Sequence, residues 1–154
     1  WEEGSSCLHG QLVPSEREAE QLHEALFLAH MLPMFVLGVA TGTVSGFGLL
    51  LCSTFDMLLA QQARFDFSGL SQAAPGVADF LCPRLGQVRL EDLGQEQLSA
   101  SRARDLGLVA EEVQSSQQVL DIIARLCSKL SECAPNAVAQ SKAFIQKIGS
   151  EPMD

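Results

Sequence analysis

From Ala25 to Phe55 the chain carries no Asp, Glu, Lys or Arg, and no other feature limits its possible folds so strongly. A stretch of that length is long enough to span a bilayer. Gly38, Gly42 and Gly46 are spaced four apart, as in small-residue helix-pairing motifs. Against a span stand His30, Pro33, Thr41, Thr43 and Ser45, and no Lys/Arg cluster flanks either end. The apolar period also changes inside the stretch. Met34–Ala40 is continuously apolar with β-branched residues, which suits a strand buried on both faces. Thr41–Ser45 reads as a turn. Gly46-Phe47-Gly48 then leads into Leu49–Cys52, which suits a buried helix. A strand–turn–helix unit inside a globular domain is therefore the preferred reading, with a membrane fragment kept as an alternative.

The flanks support one domain. Residues 1–14 read as loop. Ser15-Glu16-Arg17-Glu18 fits a capping box, and Leu22, Leu26 and Ala29 give the following helix one apolar face, ended by Pro33. Asp56–Ala60 and Ala63–Phe67 read as two short strands, and Pro75–Leu85 and Gln87–Leu93 as short helices. A helix opening at Leu98-Ser99-Ala100 stops at Gly107, and Leu108–Val113 is a strand. Ser115–Gln118 is a second capping box. Val119, Ile122, Leu126 and Leu130 form a stripe. Pro135 opens a last helix whose apolar face is Val138, Ile145 and Ile148.

A net charge of −9 argues against a nucleic-acid surface. Five cysteines, an odd number with no C-x-x-C pair, read as reduced thiols in the core of a cytoplasmic or organelle-matrix protein, with neither a disulfide framework nor a metal site. Nothing at the start resembles a signal peptide, and the first residue, Trp1, suggests a piece of a longer chain.

The strand–turn–helix over residues 35–52 is the candidate site. Amides at a helix start lack intrahelical partners and carry the positive end of the dipole. Glycines let a ligand approach such a backbone. On physics alone this is either an oxyanion site or a glycine-rich packing turn.

The residues here resemble the crotonase (enoyl-CoA hydratase/isomerase) superfamily. Thr41-Gly42-Thr43-Val44-Ser45-Gly46-Phe47-Gly48, then Leu49-Leu50-Leu51 and Asp56, are similar to the family's N-G-x-A-x-G-G-G, buried helix and aspartate. Ala63-Arg64-Phe65, Pro75-Gly76 and Pro83-Arg84-Leu85-Gly86 resemble the segments that follow. Ala103-Arg104-Asp105-Leu106-Gly107-Leu108-Val109 resembles A-x-x-L-G-L-V, and Ala137-Val138 through Lys142 resembles the final helix. The order holds along nearly the whole chain. The resemblance implies an α+β fold (α/β in some schemes), a spiral of β-β-α units with C-terminal helices. It implies a crotonase-like domain over residues 1–149 that lacks its N-terminal strands, and a loose tail over 150–154.

The resemblance also implies roles. The backbone amides of Phe47 and Gly10 would form the oxyanion hole, with Gly42, Gly46 and Gly48 shaping the turn. The two hydratase glutamate positions fall on Leu50 and on Gly69 or, with a shifted register, Ser71. No glutamate occurs between Ala25 and Leu90, so ordinary hydration is not expected. Asp79 and His9 are the candidate acid–base groups, against a surface aspartate and a solvated loop histidine. Asp56 is expected to close a structural hydrogen bond at a strand start. Lys142 is a candidate contact for a cofactor phosphate, against an ordinary solvated lysine.

Two classes of function follow. One is an acyl-thioester-binding protein with no tightly bound cofactor, taking coenzyme A or phosphopantetheine thioesters from acyl-CoA or an acyl carrier protein. Isomerisation or decarboxylation suits it better than hydration, because loss of carbon dioxide makes the enolate directly. Family members in polyketide β-branching pathways work this way, and others serve fatty acid metabolism. The other class is a non-catalytic scaffold. The resemblance implies a homotrimer or dimer of trimers for either.

Overall fold

The computed structural model describes residues 16–68, 97–134 and 136–150. In chain order these form α1 (Glu16–His30), β1 (Leu37–Ser45), α2 (Phe47–Thr54), β2 (Met57–Asp66), β3 (Gln97–Ser99), α3 (Ala100–Asp105), β4 (Glu111–Val113), α4 (Ser116–Ser131) and α5 (Ala137–Ser150). The architecture is α+β, as expected. β2 is central, pairing in parallel with β1 along its length and with β4 near its start, and antiparallel with β3 near its end.

Two local expectations are corrected. Thr41–Ser45 is not a turn but the second half of β1. Threonine and valine suit a pleated strand, and continuous pairing with β2 outweighs the turn signal of Gly42. The two short strands over 56–67 are one strand, β2, interrupted at Gln62, where φ is +52° and the register slips between Thr41 and Gly42. This is a bulge, and the apolar pattern requires it. Leu58 and Ala60 point into one core, and so do Ala63 and Phe65. With a period of two, one extra residue is needed between the pairs to return Ala63 and Phe65 to the same face. Leu98 and Ser99 likewise belong to β3, and the helix begins at Ala100.

The sheet has a core on each face. On one side Leu26 of α1, Leu49, Leu50 and Cys52 of α2 and Ala103 of α3 pack over Leu58, Ala60, Phe65 and Phe67. On the other, Val119 and Ile122 of α4 cover Leu59 and Val113, with Leu37, Met57 and Leu126 at the margin. Fully burying one such leucine or phenylalanine contributes about 1.5–3 kcal/mol. Of the expected stripes, Leu26 on α1 and Val119, Ile122 and Leu126 on α4 make these contacts, while Leu22, Ala29 and Leu130 are half-buried outside both clusters. The caps are also in place: Ser115 Oγ accepts from Gln118 N, and Gln118 Oε1 accepts in return from Gln114 N at 2.6 Å. The first capping box begins at Ser15, outside the described residues.

The charge-free stretch is thus spent on the end of α1, β1 and the eight-residue α2. Among the described residues no helix is long and apolar enough to cross a membrane, which replaces the membrane alternative. Gly38 is there for packing: a methyl group on it would fall inside the Phe55 ring. Two of the cysteines are not core residues. Cys52 is buried, but Cys127 and Cys133 on and just after α4 are exposed. The last helix includes Ser150, where a loose tail was expected, and its Ile145 is 68% exposed and packs into neither core.

Candidate active site

The head of α2 is built by Gly46. This residue has φ 51° and ψ −122°, a combination essentially confined to glycine. It reverses the chain as β1 ends and lets the helix start at Phe47. The Gly46 carbonyl accepts from Leu49 N at 3.1 Å, closing the first turn. No side chain caps this helix. The Phe47 and Gly48 amides therefore emerge at the positive end of α2 without the intrahelical acceptors that later amides have. Among the described residues no heavy atom lies within 4 Å of where a Cβ on Gly46 would stand. The Phe47 ring resolves outward, 39% exposed, so the bulky replacement for a glycine does not collide with the core. Gly48 is packed closely, its Cβ position lying 3.2 Å from Val44 Cγ1. Gly42, with φ 66°, sits beside the β2 bulge and not in the turn itself.

Leu50, in the first turn of α2, is 8% exposed and belongs to the core. No acid–base group stands there. Gly69, Ser71, Asp79, His9 and Gly10 all lie outside the described residues.

Asp56 is the structural residue expected. It accepts from Val36 N at 2.7 Å, just before β1. It also accepts from Lys142 Nζ at 2.8 Å, and Lys142 donates to Met34 O at 3.2 Å. Lys142 is therefore not a solvated lysine; it is 9% exposed. It sits at the foot of β1, whereas Phe47 follows the top. Eight strand steps at about 3.3 Å each put on the order of 26 Å between those ends, so Lys142 does not touch the amide site of its own chain.

One carboxylate at the amide end was given no role by the sequence reading. Asp66, the last residue of β2, is in register with Ser45, the last residue of β1. Its Oδ1 accepts from Ser68 N at 2.9 Å and Ser68 Oγ at 2.6 Å, and its Oδ2 from Gln97 Nε2 at 3.1 Å. The bonds from Ser68, then Gln97, hold its carboxyl below the usual aspartate range. It is thus a fixed negative charge near the candidate site. The D-x-S pattern of an Asx-type turn was the available sequence signal. Among the described residues no group of three or more His, Cys, Asp or Glu side chains is arranged to hold a metal ion.

No family model matches the sequence, and no curated protein matches it. Solved structures do match the fold. The crystal structure of an enoyl-CoA hydratase/isomerase from Marinobacter aquaeolei superimposes with a TM-score of 0.79 at 24% identity, over 89% of this chain and 54% of that one. AtuE from Pseudomonas aeruginosa gives 0.80 at 23% identity, over 89% and 55%. An enoyl-CoA hydratase from Bacillus halodurans gives 0.77 at 20%, over 86% and 56%. The class is therefore settled at the level of fold: this chain has the crotonase fold. It spans little more than half the length of these structures.

Proposed function

We propose that this chain binds acyl thioesters of coenzyme A or a carrier protein, and that the Phe47 amide polarises the thioester carbonyl. The observation that carries this is the Gly46 turn, which starts α2 with no side-chain cap on its first amides, within a fold shared with enoyl-CoA hydratase and isomerase structures. In the resemblance Gly10 supplies the second donor. A preorganised donor of this kind lowers the barrier by about 3 kcal/mol. With Leu50 buried where a hydratase has an acid, the chemistry that fits is enolate formation by isomerisation or decarboxylation. Asp79 and His9 are the proton-transfer groups proposed for isomerisation. Decarboxylation needs only a proton from water to quench the enolate.

A non-catalytic role in assembly is the second reading. It is favoured by the large apolar side chains left at the surface, Phe144 and Ile145 on α5 and Phe27, Leu28 and Met31 at the end of α1. Such surface suits contact with further copies, in the trimer or dimer of trimers that the resemblance implies. A cytoplasmic or organelle-matrix location accompanies either reading.

Calorimetric titration with acetyl-, crotonyl- and methylmalonyl-CoA, followed by mass spectrometry of the products, separates the two. Binding with double-bond movement or carbon dioxide release is expected. Failure of all three to bind a protein shown to be folded would leave the assembly role.

A further inference from the structure

Phe47 carries two groups that leave the head of α2 in the same direction. Its amide is the first of the helix, which starts at the Gly46 turn with no side-chain cap. Helical amides point toward the N-terminal end, and each Cα–Cβ bond tilts toward that same end. The phenyl ring therefore leaves the backbone on the side toward which the amide donates. Exposure sets it apart from its neighbours on the helix: Leu49 and Leu50 are 0% and 8% exposed, whereas Phe47 is 39% exposed. Gly46 makes the turn through its own backbone, at φ 51° and ψ −122°, so the turn does not require a ring on the residue that follows.

Covalent geometry ties the ring to whatever the amide binds. By ordinary bond lengths the ring centre stands on the order of 4–5 Å from the Phe47 nitrogen. A carbonyl oxygen accepting from that nitrogen lies about 2.9 Å away. An aryl group on the carbonyl carbon has its centre on the order of 4 Å from that oxygen. The two rings thus hang from opposite ends of one hydrogen bond. Turned to the same side, they come within the roughly 4.5–7 Å at which aromatic pairs stack or meet edge to face. A straight saturated chain offers no such partner. Leu50 stands one turn further along the same face of α2 and is part of the core. That face is apolar, which suits a hydrocarbon acyl group better than the amide-bearing pantetheine arm.

We infer that Phe47 is a specificity residue that favours aroyl thioesters, its ring pairing with an aryl group next to the carbonyl that its own amide holds. The inference rests on the amide site proposed above. A ring that touches only the acyl group discriminates by that group alone, because the thioester and the pantetheine arm are common to every coenzyme A substrate.

Calorimetric titration of the whole chain with benzoyl-CoA and butyryl-CoA tests this, in wild type, Phe47→Ala and Phe47→Leu. Each of these proteins keeps the main-chain amide. Wild type is expected to bind benzoyl-CoA the more tightly. Phe47→Ala is expected to lower the benzoyl-to-butyryl affinity ratio by roughly five- to tenfold. Phe47→Leu keeps apolar bulk without a flat ring and is expected to lower the ratio as well, so it carries the test if alanine unfolds the helix head. An unchanged ratio, with both thioesters still bound, would overturn the role of the ring and leave the amide site standing. Equal weakening of both thioesters would overturn it too, by placing the ring on the pantetheine arm. A ratio that rises would make the ring an obstacle to aryl groups and overturn the preference. Binding of neither thioester by folded wild type would overturn the amide site itself, and the inference with it.

Discussion

Lys142 Nζ lies 2.8 Å from Asp56 Oδ2 across 86 residues of sequence, and the two side chains are 9% and 22% exposed. The pair is unequal in what each partner does. Asp56 also accepts the Val36 amide, so its removal strands both a backbone donor and an ammonium. Removing Lys142 leaves a carboxylate that can rehydrate. Asp56→Ala is therefore expected to cost about 2–4 kcal/mol in urea unfolding, and Lys142→Met about 1–2 kcal/mol. Equal costs for the two variants would show that the Val36 bond contributes nothing.

Gly38 and Phe55 form a lock of a different kind. A methyl group on Gly38 would occupy the Phe55 ring, and Phe55 packs at the edge of the larger core. Gly38→Ala is expected to destabilise by about 1–3 kcal/mol or more through overpacking. Gly38→Ala combined with Phe55→Leu should recover part of that loss. A double variant no more stable than Gly38→Ala alone would place the strain elsewhere.

Elements with a clear period were legible in the sequence: α1 from Leu22, Leu26 and Ala29, and α4 from its stripe and the Ser115 cap. The site's helix was legible because Gly46-Phe47-Gly48 leads into an apolar run, but its turn was not: the turn expected over Thr41–Ser45 is strand, and the chain reverses at Gly46. The bulge at Gln62 was not legible, because a shifted period reads locally as two strands separated by a loop. The burial of Lys142 was not legible either. A lysine among Ala137, Val138 and Ile145 looks like the polar side of a helix until a carboxylate 86 residues away meets it. The role of Asp56 was visible through the resemblance, whereas Asp66 was passed over because a strand-end aspartate usually has none.

Gly46 and Gly48 differ in why they are glycine, and substitution separates the reasons. At Gly46 no described atom crowds an added Cβ and the backbone is the obstacle, with φ 51° and ψ −122°. Gly46→Ala should cost about 1–3 kcal/mol and weaken any acyl-thioester binding, because the turn sets where the Phe47 amide points. At Gly48 the backbone is helical and only the Val44 methyl, 3.2 Å away, must yield. Alanine also favours a helix over glycine by about 1 kcal/mol, so Gly48→Ala should be close to neutral. Thermal unfolding and thioester titration check both. Tighter binding in Gly46→Ala would sink the proposed amide site.

Asp66 gives the fold a pH-dependent increment whose sign is fixed by its hydrogen bonds. The carboxylate accepts from Ser68 and Gln97, and its pKa is lowered in the folded chain. The folded state thus prefers the ionised form more than the unfolded state does. That preference contributes in full above the ordinary aspartate value of roughly 3.9, and it fades as pH falls through the lower folded value. Asp66→Asn retains an oxygen for the Ser68 bonds and carries no titrating group. Wild type should therefore be the more stable of the two at neutral pH, and its advantage should shrink as pH falls below about 4. The comparison cancels the acid titration of every other carboxylate, provided both proteins unfold from the same native state. Urea unfolding of both proteins at neutral pH and at steps below about pH 4 measures the difference directly. An advantage that stays constant, or that grows on acidification, would mean that the Ser68 and Gln97 bonds do not select the ionised form.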